Sequence, residues 1–289
     1  MLKNIFQLLR PHQYIKNTFL FFPLFFVGEM NNITLVVHTF IAFIAFSLSA
    51  SAIYILNDYH DIEEDRQHPK KKYRPLVSGA ISKKKALLIM FLLGSLGISL
   101  LFFLSKQAVL YLLAYIALNI CYSFYLKHIA IIDISIIAIG FVLRLFVGSA
   151  VTNTPLSQWI VIMTFLLALF LALAKRRDDV LLFLSTGKKM RKVIDGYNLP
   201  FLDGAMNIMA SLVIVVYILY TTSREVTTRF QTETLYFTAF FVIIGIMRYM
   251  QIAYIEKNTG SPTRVILRDT FIKLTILGWV LSFTWIIYL

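Results

Sequence analysis

Acidic and amide side chains recur at a four-residue spacing in one short polar stretch of the sequence. Asn57, Asp61 and Asp65 stand at positions i, i+4 and i+8, so on a continuous helix they share one face. Like charges one turn apart repel each other, and a cation stabilises such a face. Carboxylate and amide oxygens, without Cys or paired His, suit Mg²⁺, which commonly joins carboxylates to substrate phosphates. The spacing therefore indicates a site for a metal and a phosphate.

A run of basic residues follows these acids directly. It consists of Lys70, Lys71, Lys72 and Arg74. Acids and bases together can bind a diphosphate with its metal, whereas an acidic helix end can also be neutralised by the bases beside it. The immediate succession of the two groups in the chain favours the diphosphate–metal site.

The composition indicates the kind of element that must position this site. Hydrophobic residues make up 58% of the 289 residues, only 15% are charged, and the mean hydropathy is +0.74. An ordinary soluble domain has roughly 45–50% apolar residues, and the excess exposed here would aggregate. The chain is therefore predicted to be an integral membrane protein. The net charge is +13, and the basic residues lie in short loops between apolar runs. This distribution fits membrane topology and an anionic substrate better than it fits binding to nucleic acid.

Apolar runs of the length that crosses a bilayer, about 20 residues, predict nine spans. No long alternation typical of β-strands is present, which leaves helices as the spanning elements. The predicted fold is an all-α, polytopic integral membrane bundle of about nine transmembrane helices, forming a single catalytic domain over 1–289. The predicted spans are 14–29, 33–56, 86–104, 108–125, 129–151, 157–174, 201–221, 234–254 and 271–289.

The distribution of Lys and Arg predicts the orientation of the chain. Of the 28 basic residues, 23 lie in the N-terminal segment and the loops on the same side of the membrane. Cytoplasmic loops carry the excess of Lys and Arg. We therefore expect a protein of the plasma (inner) membrane with its N-terminus and its active site in the cytoplasm and its C-terminus outside.

The acidic stretch also resembles a known motif. Residues 57–79, NDYHDIEEDRQHPKKKYRPLVSG, are similar to the first aspartate-rich motif of the UbiA superfamily of intramembrane prenyltransferases. More narrowly they resemble its decaprenyl-phosphate phosphoribosyltransferase branch, in which NDxxDxxxDxxHPxKxxRPxxxG is typical. The sequence RPHQYIKN at 10–17 is similar to the RPxQWxKN of that branch. Residues 122–144 follow its YSxxLK…D…GFxxR pattern.

The resemblance extends over nearly the whole chain and includes one informative departure. KRRDD at 175–179 resembles the KRxxE of the branch, and 261–269 contains its P…RD ending. Aromatic prenyltransferases of the superfamily carry a second DxxxD after the sixth span. Here Asp178 and Asp179 are followed four residues later by Leu182 and Phe183. The missing second motif favours the phosphoribosyl branch.

The resemblance implies an enzyme that transfers 5-phosphoribose from phosphoribosyl diphosphate to a polyprenyl (decaprenyl-type) phosphate, releasing diphosphate, for cell-envelope glycan precursor synthesis. It further implies that Asn57, Asp61 and Asp65 bind Mg²⁺ against the departing diphosphate. Asp58 belongs to the same catalytic group, either as a direct ligand or by orienting one. The acceptor phosphate is already an anion, so no general base is required.

The resemblance and the membrane boundary together suggest further substrate contacts. The candidates are Lys16, Asn17, Arg66, Lys70, Arg74, Tyr122, Lys127, Asp133, Arg144, Lys175 and Arg176. Simpler roles remain open for several of them. Lysines at the interface can snorkel and set topology, and tyrosines can belong to an aromatic belt. Asp133 and Arg144, eleven residues apart on one helix face, are expected inside the bundle, with Arg144 near a phosphate or a carboxylate. A structural interhelical ion pair remains the alternative for them.

Two other functions remain open. A prenyltransferase that moves an isoprenoid chain to an aromatic acceptor is disfavoured by the missing second DxxxD. A non-enzymatic lipid-binding or transport protein is disfavoured because the charges cluster at the cytoplasmic boundary, whereas transporters usually place polar groups near the middle of the membrane. The expected partners are phosphoribosyl diphosphate, a polyprenyl phosphate and membrane lipids, without nucleic acid, and the sequence leaves a homo-oligomer open.

Overall fold

The regular structure of the described chain is helical throughout. The computed structural model describes residues 2–66, 71–187, 189, 191–256 and 262–288. Within this part, eight helices are long and apolar enough to cross a membrane, which confirms the predicted all-α membrane fold. Their bounds are Ile33–His60, Lys83–Leu104, Lys106–Phe124, Ile132–Thr152, Gln158–Thr186, Leu199–Thr222, Thr234–Glu256 and Thr270–Tyr288.

The α-helices are numbered α1 to α13 in chain order. They are α1 (Leu2–Leu9), α2 (Phe22–Val27), α3 (Ile33–His60), α4 (Ile62–Arg66), α5 (Lys83–Leu104), α6 (Lys106–Phe124), α7 (Ile132–Thr152), α8 (Gln158–Thr186), α9 (Leu199–Thr222), α10 (Arg224–Phe230), α11 (Ala239–Gln251), α12 (Pro262–Arg268) and α13 (Thr270–Tyr288). Short 3₁₀ turns connect several of them, and a π-helical turn, Ile252–Glu256, extends α11.

The first predicted span, 14–29, is built differently from the others. A 3₁₀ helix, Pro11–Phe21, leads directly into α2. Because a 3₁₀ helix rises about 2 Å per residue and an α-helix about 1.5 Å, the two together extend about 31 Å. This length matches the roughly 30 Å of bilayer hydrocarbon. Pro23 lies in the first turn of α2, where no backbone N–H is needed, and Gly28 ends the helix with φ 88°. The segment is therefore long enough for a ninth crossing.

The chain forms two compact units. Unit 1 comprises Met1–Lys127 and Gly140–Leu156, and unit 2 comprises His128–Ile139 and Ser157–Leu289. Helix α7 contributes its first residues to unit 2 and its remainder to unit 1. The predicted single catalytic domain over 1–289 stays a prediction.

Small residues let α3 and α5 pack closely in unit 1. A Cβ atom at Gly97 on α5 would overlap the Ser49 hydroxyl and the Ala45 carbonyl of α3. Membrane helices associate through such close packing, because lipid supplies no hydrophobic driving force between them. The core beside this contact contains Phe46 and Leu112, both fully buried.

Gly148 on α7 makes a similar approach and allows a stability prediction. A Cβ at this position would overlap the backbone carbonyl of Leu20, which cannot rotate away as a side chain can. We expect Gly148→Ala to lower the free energy of unfolding by about 1–3 kcal/mol, the usual cost of overpacking. Gly204→Ala on α9 is the control, because nothing lies within 4 Å of its Cβ position. Thermal unfolding in detergent measures the difference, and equal melting temperatures of the two variants would contradict the prediction.

A small apolar cluster fixes the segment between α4 and α5 in unit 1. It joins Leu8 of α1, Ile55 of α3 and Ile62 of α4 to Leu76 and Ile81 of the connecting segment, and all five side chains are buried. The connecting segment is therefore anchored just after Arg74, and α4 is anchored before it through Ile62. This packing positions the basic residues over the ends of α3 and α4.

Unit 2 has its own core around α8 and α9. Phe170 of α8, Leu202 and Met206 of α9, and Tyr249 of α11 are buried together. Helix α9 begins at a sequence-encoded cap, since the Asn198 side chain accepts a hydrogen bond from the Phe201 N–H at 2.8 Å. These contacts hold the last turns of α8, which carry the predicted Lys175 and Arg176.

Candidate active site

The helix that carries the acidic motif is distorted at Asp61. Helix α3 ends at His60, Asp61 has φ −92° and ψ 11°, and α4 begins at Ile62. The Asp61 N–H still bonds to Asn57 O at 3.0 Å, and the Asp65 N–H bonds to Asp61 O at 2.8 Å. The helical hydrogen bonding expected through Asp65 is therefore present, and the backbone departs from helical dihedral angles at Asp61. The carboxylates of the motif have different cationic partners, since Asp61 bonds to Lys127 and Asp65 to Arg74.

Asp58 and Asp65 are brought together by Arg74. The two acids are seven residues apart, which is about two helical turns, and each is only 1% exposed. One nitrogen of Arg74, Nη1, lies 2.9 Å from Asp58 Oδ1 and also bonds to Asp65 Oδ2. Lys71 Nζ lies 3.3 Å from the other oxygen of Asp65. A single cationic atom thus lies between two buried carboxylates.

Arg10 is a member of this group that was not among the predicted site residues. Its guanidinium bonds to Asp58 and lies 5.3 Å from the centre of the Tyr54 ring. Its backbone is left-handed, with φ 54° and ψ 54°, which costs a non-glycine residue about 1–3 kcal/mol and often marks a functional site. The sequence signal was its place at the start of the RPxQWxKN-like segment.

Asp61 and Asn57 have partners from the end of α6 and the turn after it. Lys127 Nζ lies 2.8 Å from Asp61 Oδ1, and His60 Nδ1 lies 3.1 Å from the same oxygen. Burial raises the pKa of Asp61, but the hydrogen bonds from Lys127 and His60 outweigh it and hold that pKa below its usual value. Asp61 is therefore an anion at neutral pH. The Asn57 amide oxygen accepts a hydrogen bond from the Ser123 hydroxyl.

Arg144 belongs to a second polar group of unit 1. It is 4% exposed, and its Nε donates to Asn17 Oδ1 at 2.9 Å. Its terminal nitrogens donate to Gly140 O at 2.6 Å and to the Tyr115 hydroxyl at 3.2 Å. The expectation that Arg144 lies inside the protein is confirmed. No carboxylate is paired with it among the described residues, so the interhelical ion pair that the sequence left open for Arg144 is not present there.

Asp133 and Arg176 bond to each other in unit 2. Both are buried, and Arg176 Nε lies 2.5 Å from Asp133 Oδ2. Asp179 accepts from Arg176 Nη1 at 2.8 Å, and the Tyr197 hydroxyl donates to Asp133 Oδ1 at 2.6 Å. Burial and the hydrogen bond to Asp133 raise the pKa of Tyr197, which keeps its hydroxyl protonated. The ion pair that was left open for Asp133 therefore exists with Arg176.

The remaining predicted contacts are Arg66, Tyr122, Lys175 and Lys70. Arg66 pairs with Glu63 at 2.8 Å on the exposed side of α4. Tyr122 on α6 and Lys175 beside Arg176 on α8 are partly buried. Lys70 and Ser261 lie outside the described residues.

The oxygen donors of the acidic motif fit a hard cation such as Mg²⁺. Within the described residues, no three His, Cys, Asp or Glu side chains lie together as a metal site. The predicted donors Asn57, Asp61 and Asp65 instead accept hydrogen bonds or pair with cationic side chains. The position of Arg74 Nη1 between Asp58 and Asp65 nevertheless shows that a cation fits between these two carboxylates. The geometry favours Asp58 as a direct ligand, a role that the sequence left open.

Long apolar helices with buried aspartates at the end of one of them define a multi-pass membrane protein with a buried, charged site. A profile of the UbiA prenyltransferase family matches residues 18–275, and the chain belongs to that family. This match confirms the resemblance that the acidic motif suggested.

Curated relatives match nearly the full length of the chain. The decaprenyl-phosphate phosphoribosyltransferase of Mycolicibacterium smegmatis is 30% identical over 97% of this chain and 91% of its own length. The enzyme of the same name from Corynebacterium glutamicum is 32% identical over 97% of this chain and 86% of its own length.

Solved structures share the fold. A UbiA homologue from Archaeoglobus fulgidus, bound to GPP and Mg²⁺, superposes with a TM-score of 0.69 and 18% identity. The alignment covers 99% of this chain and 100% of that chain. A second structure of the same homologue contains Cd²⁺ and has a TM-score of 0.67 at 16% identity. At these identities the likeness concerns the fold.

Proposed function

We propose that this protein transfers 5-phosphoribose from phosphoribosyl diphosphate to a polyprenyl phosphate and releases diphosphate. The observation that carries this proposal is the full-length similarity, near 30% identity, to enzymes named decaprenyl-phosphate phosphoribosyltransferases. The missing second DxxxD supports the same reaction. In place of that motif, the end of α8 carries two basic residues, Arg176 and Arg177, each paired with an aspartate. We propose that the reaction takes place on the cytoplasmic face. The excess of Lys and Arg in the loops on the side of Asn57, Asp58, Asp61 and Asp65, here called the acidic cluster, supports this orientation.

The acidic cluster is the proposed donor site. Arg10, Lys71, Arg74 and Lys127 surround its carboxylates within hydrogen-bond or ion-pair distance. Arginine can bind phosphate oxygens through two nitrogens at once, and lysine supplies a point charge. When phosphoribosyl diphosphate enters, these cations can turn from the carboxylates to its phosphate oxygens. Lys70 and Arg66 come from the same stretch of sequence and are proposed as further contacts of the 5-phosphate.

We propose that Asn57, Asp58, Asp61 and Asp65 bind Mg²⁺ once the basic side chains engage the donor. When bound, Mg²⁺ neutralises the charge that builds on the departing diphosphate. The remaining carboxylate charge then faces the ribosyl carbon, which becomes electron-poor as its bond to the diphosphate stretches. Asp58 and Asp65 are buried, so this negative charge is kept away from water. A charge acts more strongly in such surroundings than it does in water.

The chemical step is a substitution at C1 of the ribose. An oxygen of the acceptor phosphate forms the new bond to C1, and the bond from C1 to the diphosphate oxygen breaks. Its electron pair leaves with the diphosphate, so no proton has to be removed from the nucleophile. This accounts for a site made of acids and cations, without a Ser–His–Asp arrangement.

A detergent-solubilised assay with radiolabelled phosphoribosyl diphosphate and a polyprenyl phosphate tests the proposal. We expect a labelled product that extracts into organic solvent, and we expect chelation of divalent cations to abolish it. Addition of Mg²⁺ restores the product, because the proposed donor set is made of hard oxygen ligands.

Other outcomes of this assay would contradict specific parts of the proposal. Full activity in the presence of a chelator would remove the metal from the mechanism. Transfer from a prenyl diphosphate to an aromatic acceptor, with no labelled ribosyl lipid, would assign the protein to the aromatic prenyltransferases instead. A 4-hydroxybenzoate octaprenyltransferase from Pseudoalteromonas translucida is a suitable reference, since it is 26% identical over 58% of this chain.

A further inference from the structure

Arg144 carries a buried charge that no carboxylate of the described residues compensates. The other two buried arginines of the described chain, Arg176 and Arg177, each pair with an aspartate, at 2.5 and 2.6 Å. Arg144 bonds to an amide oxygen, a carbonyl and a hydroxyl, which are neutral groups. A charge within a membrane helix is expensive and usually marks a paired or functional position. Here the partner is missing from the described protein residues.

Lys16 places a second cation beside the first. It precedes Asn17, which holds the Arg144 guanidinium, and the Lys16 and Arg144 charges repel each other across this short distance. Lys16 is partly buried and has no hydrogen-bond or ion-pair partner within the described chain. Arg144 uses three of the five N–H donors of a guanidinium, so two remain for a ligand. Two adjacent unpaired cations are an arrangement that an anion stabilises.

Three aromatic rings surround the Arg144 guanidinium. The centres of the Phe46 and Tyr115 rings lie 4.8 Å from the guanidinium carbon of Arg144, and that of Phe141 lies 5.3 Å from it. Phe46 and Tyr115 continue into the apolar core of unit 1. The surroundings thus suit an anion that is attached to an apolar chain. They are a poor match for a ribose, whose hydroxyl groups would be left without partners.

The charge also distinguishes the two substrates of the proposed reaction. A phosphate monoester carries about −1.5 to −2 charges near neutral pH, which two cations balance. Phosphoribosyl diphosphate carries a diphosphate and a second phosphate, and it matches the larger set of cations around Asp58 and Asp65.

We propose that Lys16 and Arg144 bind the monophosphate of the lipid acceptor, with the partly buried Phe141 ring contacting the first carbons of its chain. This inference rests on the proposed function, because it divides the two substrates of that reaction between two separate groups of residues. The acidic cluster binds the sugar donor, and the Lys16–Arg144 pair binds the acceptor.

Direct binding to the purified full-length protein tests this division without requiring turnover. The probes are farnesyl phosphate, farnesol, inorganic phosphate, and phosphoribosyl diphosphate with Mg²⁺. We expect Lys16→Gln to weaken farnesyl phosphate binding at least tenfold and to leave phosphoribosyl diphosphate binding within twofold. Lys16→Arg restores farnesyl phosphate binding because it restores the charge. Lys3→Gln, at an exposed lysine of α1, is the matched control and binds both ligands as the parent protein does.

The other outcomes separate failure of this inference from failure of the proposed function. If Lys16→Gln weakens the binding of phosphoribosyl diphosphate instead of that of farnesyl phosphate, Lys16 and Arg144 belong to the donor site. The inference is then overturned, while the proposed function stands. If inorganic phosphate binds as tightly as farnesyl phosphate, the site takes free phosphate and the lipid assignment is overturned. If the parent protein binds neither farnesyl phosphate nor phosphoribosyl diphosphate, the proposed function fails together with the inference.

Discussion

Replacing Asp65 with Asn is expected to lower turnover about 10²–10³-fold, the loss that follows removal of one preorganised electrostatic group from an active site. Asp65 is 1% exposed and shares the Arg74 cation with Asp58. Loss of its charge leaves Arg74 and Lys71 with less negative charge to hold them in place. It also removes one of the proposed Mg²⁺ ligands. Initial rates with radiolabelled phosphoribosyl diphosphate measure the effect.

A neighbouring acid provides the control for this variant. Glu63 lies on the same short helix α4, is exposed and pairs only with Arg66 among the described residues. Glu63→Gln is therefore expected to keep at least half of the parent activity. The turnover of Asp61→Asn is expected to fall as that of Asp65→Asn does, since Asp61 belongs to the same proposed donor set.

The dependence on Mg²⁺ distinguishes a metal ligand from a residue that merely holds Arg74. If Asp65 is a ligand, Asp65→Asn requires a higher Mg²⁺ concentration for half-maximal rate, and Arg74→Lys does not. Thermal unfolding of both variants shows whether the fold is retained. Near-normal turnover in folded Asp61→Asn and Asp65→Asn would remove this cluster from the mechanism.

The sequence predicted the elements of this protein better than the pairing of its side chains. Apolar runs predict spans because about 20 such residues are needed to cross the bilayer, and eight of the nine predicted spans match long helices. The 3₁₀ geometry of Pro11–Phe21 was not predicted. Hydrophobicity shows how apolar a segment is, but it does not show the rise per residue along the helix axis. The partner of Asp61 was not predicted for another reason, since that partner, Lys127, lies 66 residues further along the chain.

The candidate site shows the same division between local and distant information. The spacing of Asn57, Asp61 and Asp65 is local and indicated the stretch of sequence that contains the acidic cluster. The closest association in the structure is between Asp58 and Asp65, and it depends on Arg74 and on Arg10 from another segment. Likewise, helical spacing placed Asp133 and Arg144 on one helix and on the inside, and both are buried. It did not reveal that each bonds to different residues, because such partners come from distant parts of the chain.

Replacing Arg176 with Met is expected to lower the free energy of unfolding by about 3–5 kcal/mol, the usual cost of leaving one partner of a buried ion pair without the other. Asp133 is 0% exposed, and without Arg176 its only remaining side-chain partner in the described chain is Tyr197. Chemical or thermal unfolding in detergent measures the change. Arg229→Met is the control in unit 2, since Arg229 forms a partly exposed pair with Glu225, and such pairs contribute about 0–1 kcal/mol.

A double variant separates a structural role of Arg176 from a contact with substrate. Asp133→Asn keeps an acceptor oxygen for the Tyr197 hydroxyl and removes the unpaired charge, while Asp179 still has Arg191 at 3.6 Å. We therefore expect Asp133→Asn with Arg176→Met to recover more than half of the lost stability. If the pair is structural, the double variant also recovers activity, because the end of α8 regains its packing. If Arg176→Met unfolds like the parent protein but is inactive, and the double variant stays inactive, then Arg176 contacts substrate and the buried pair is secondary.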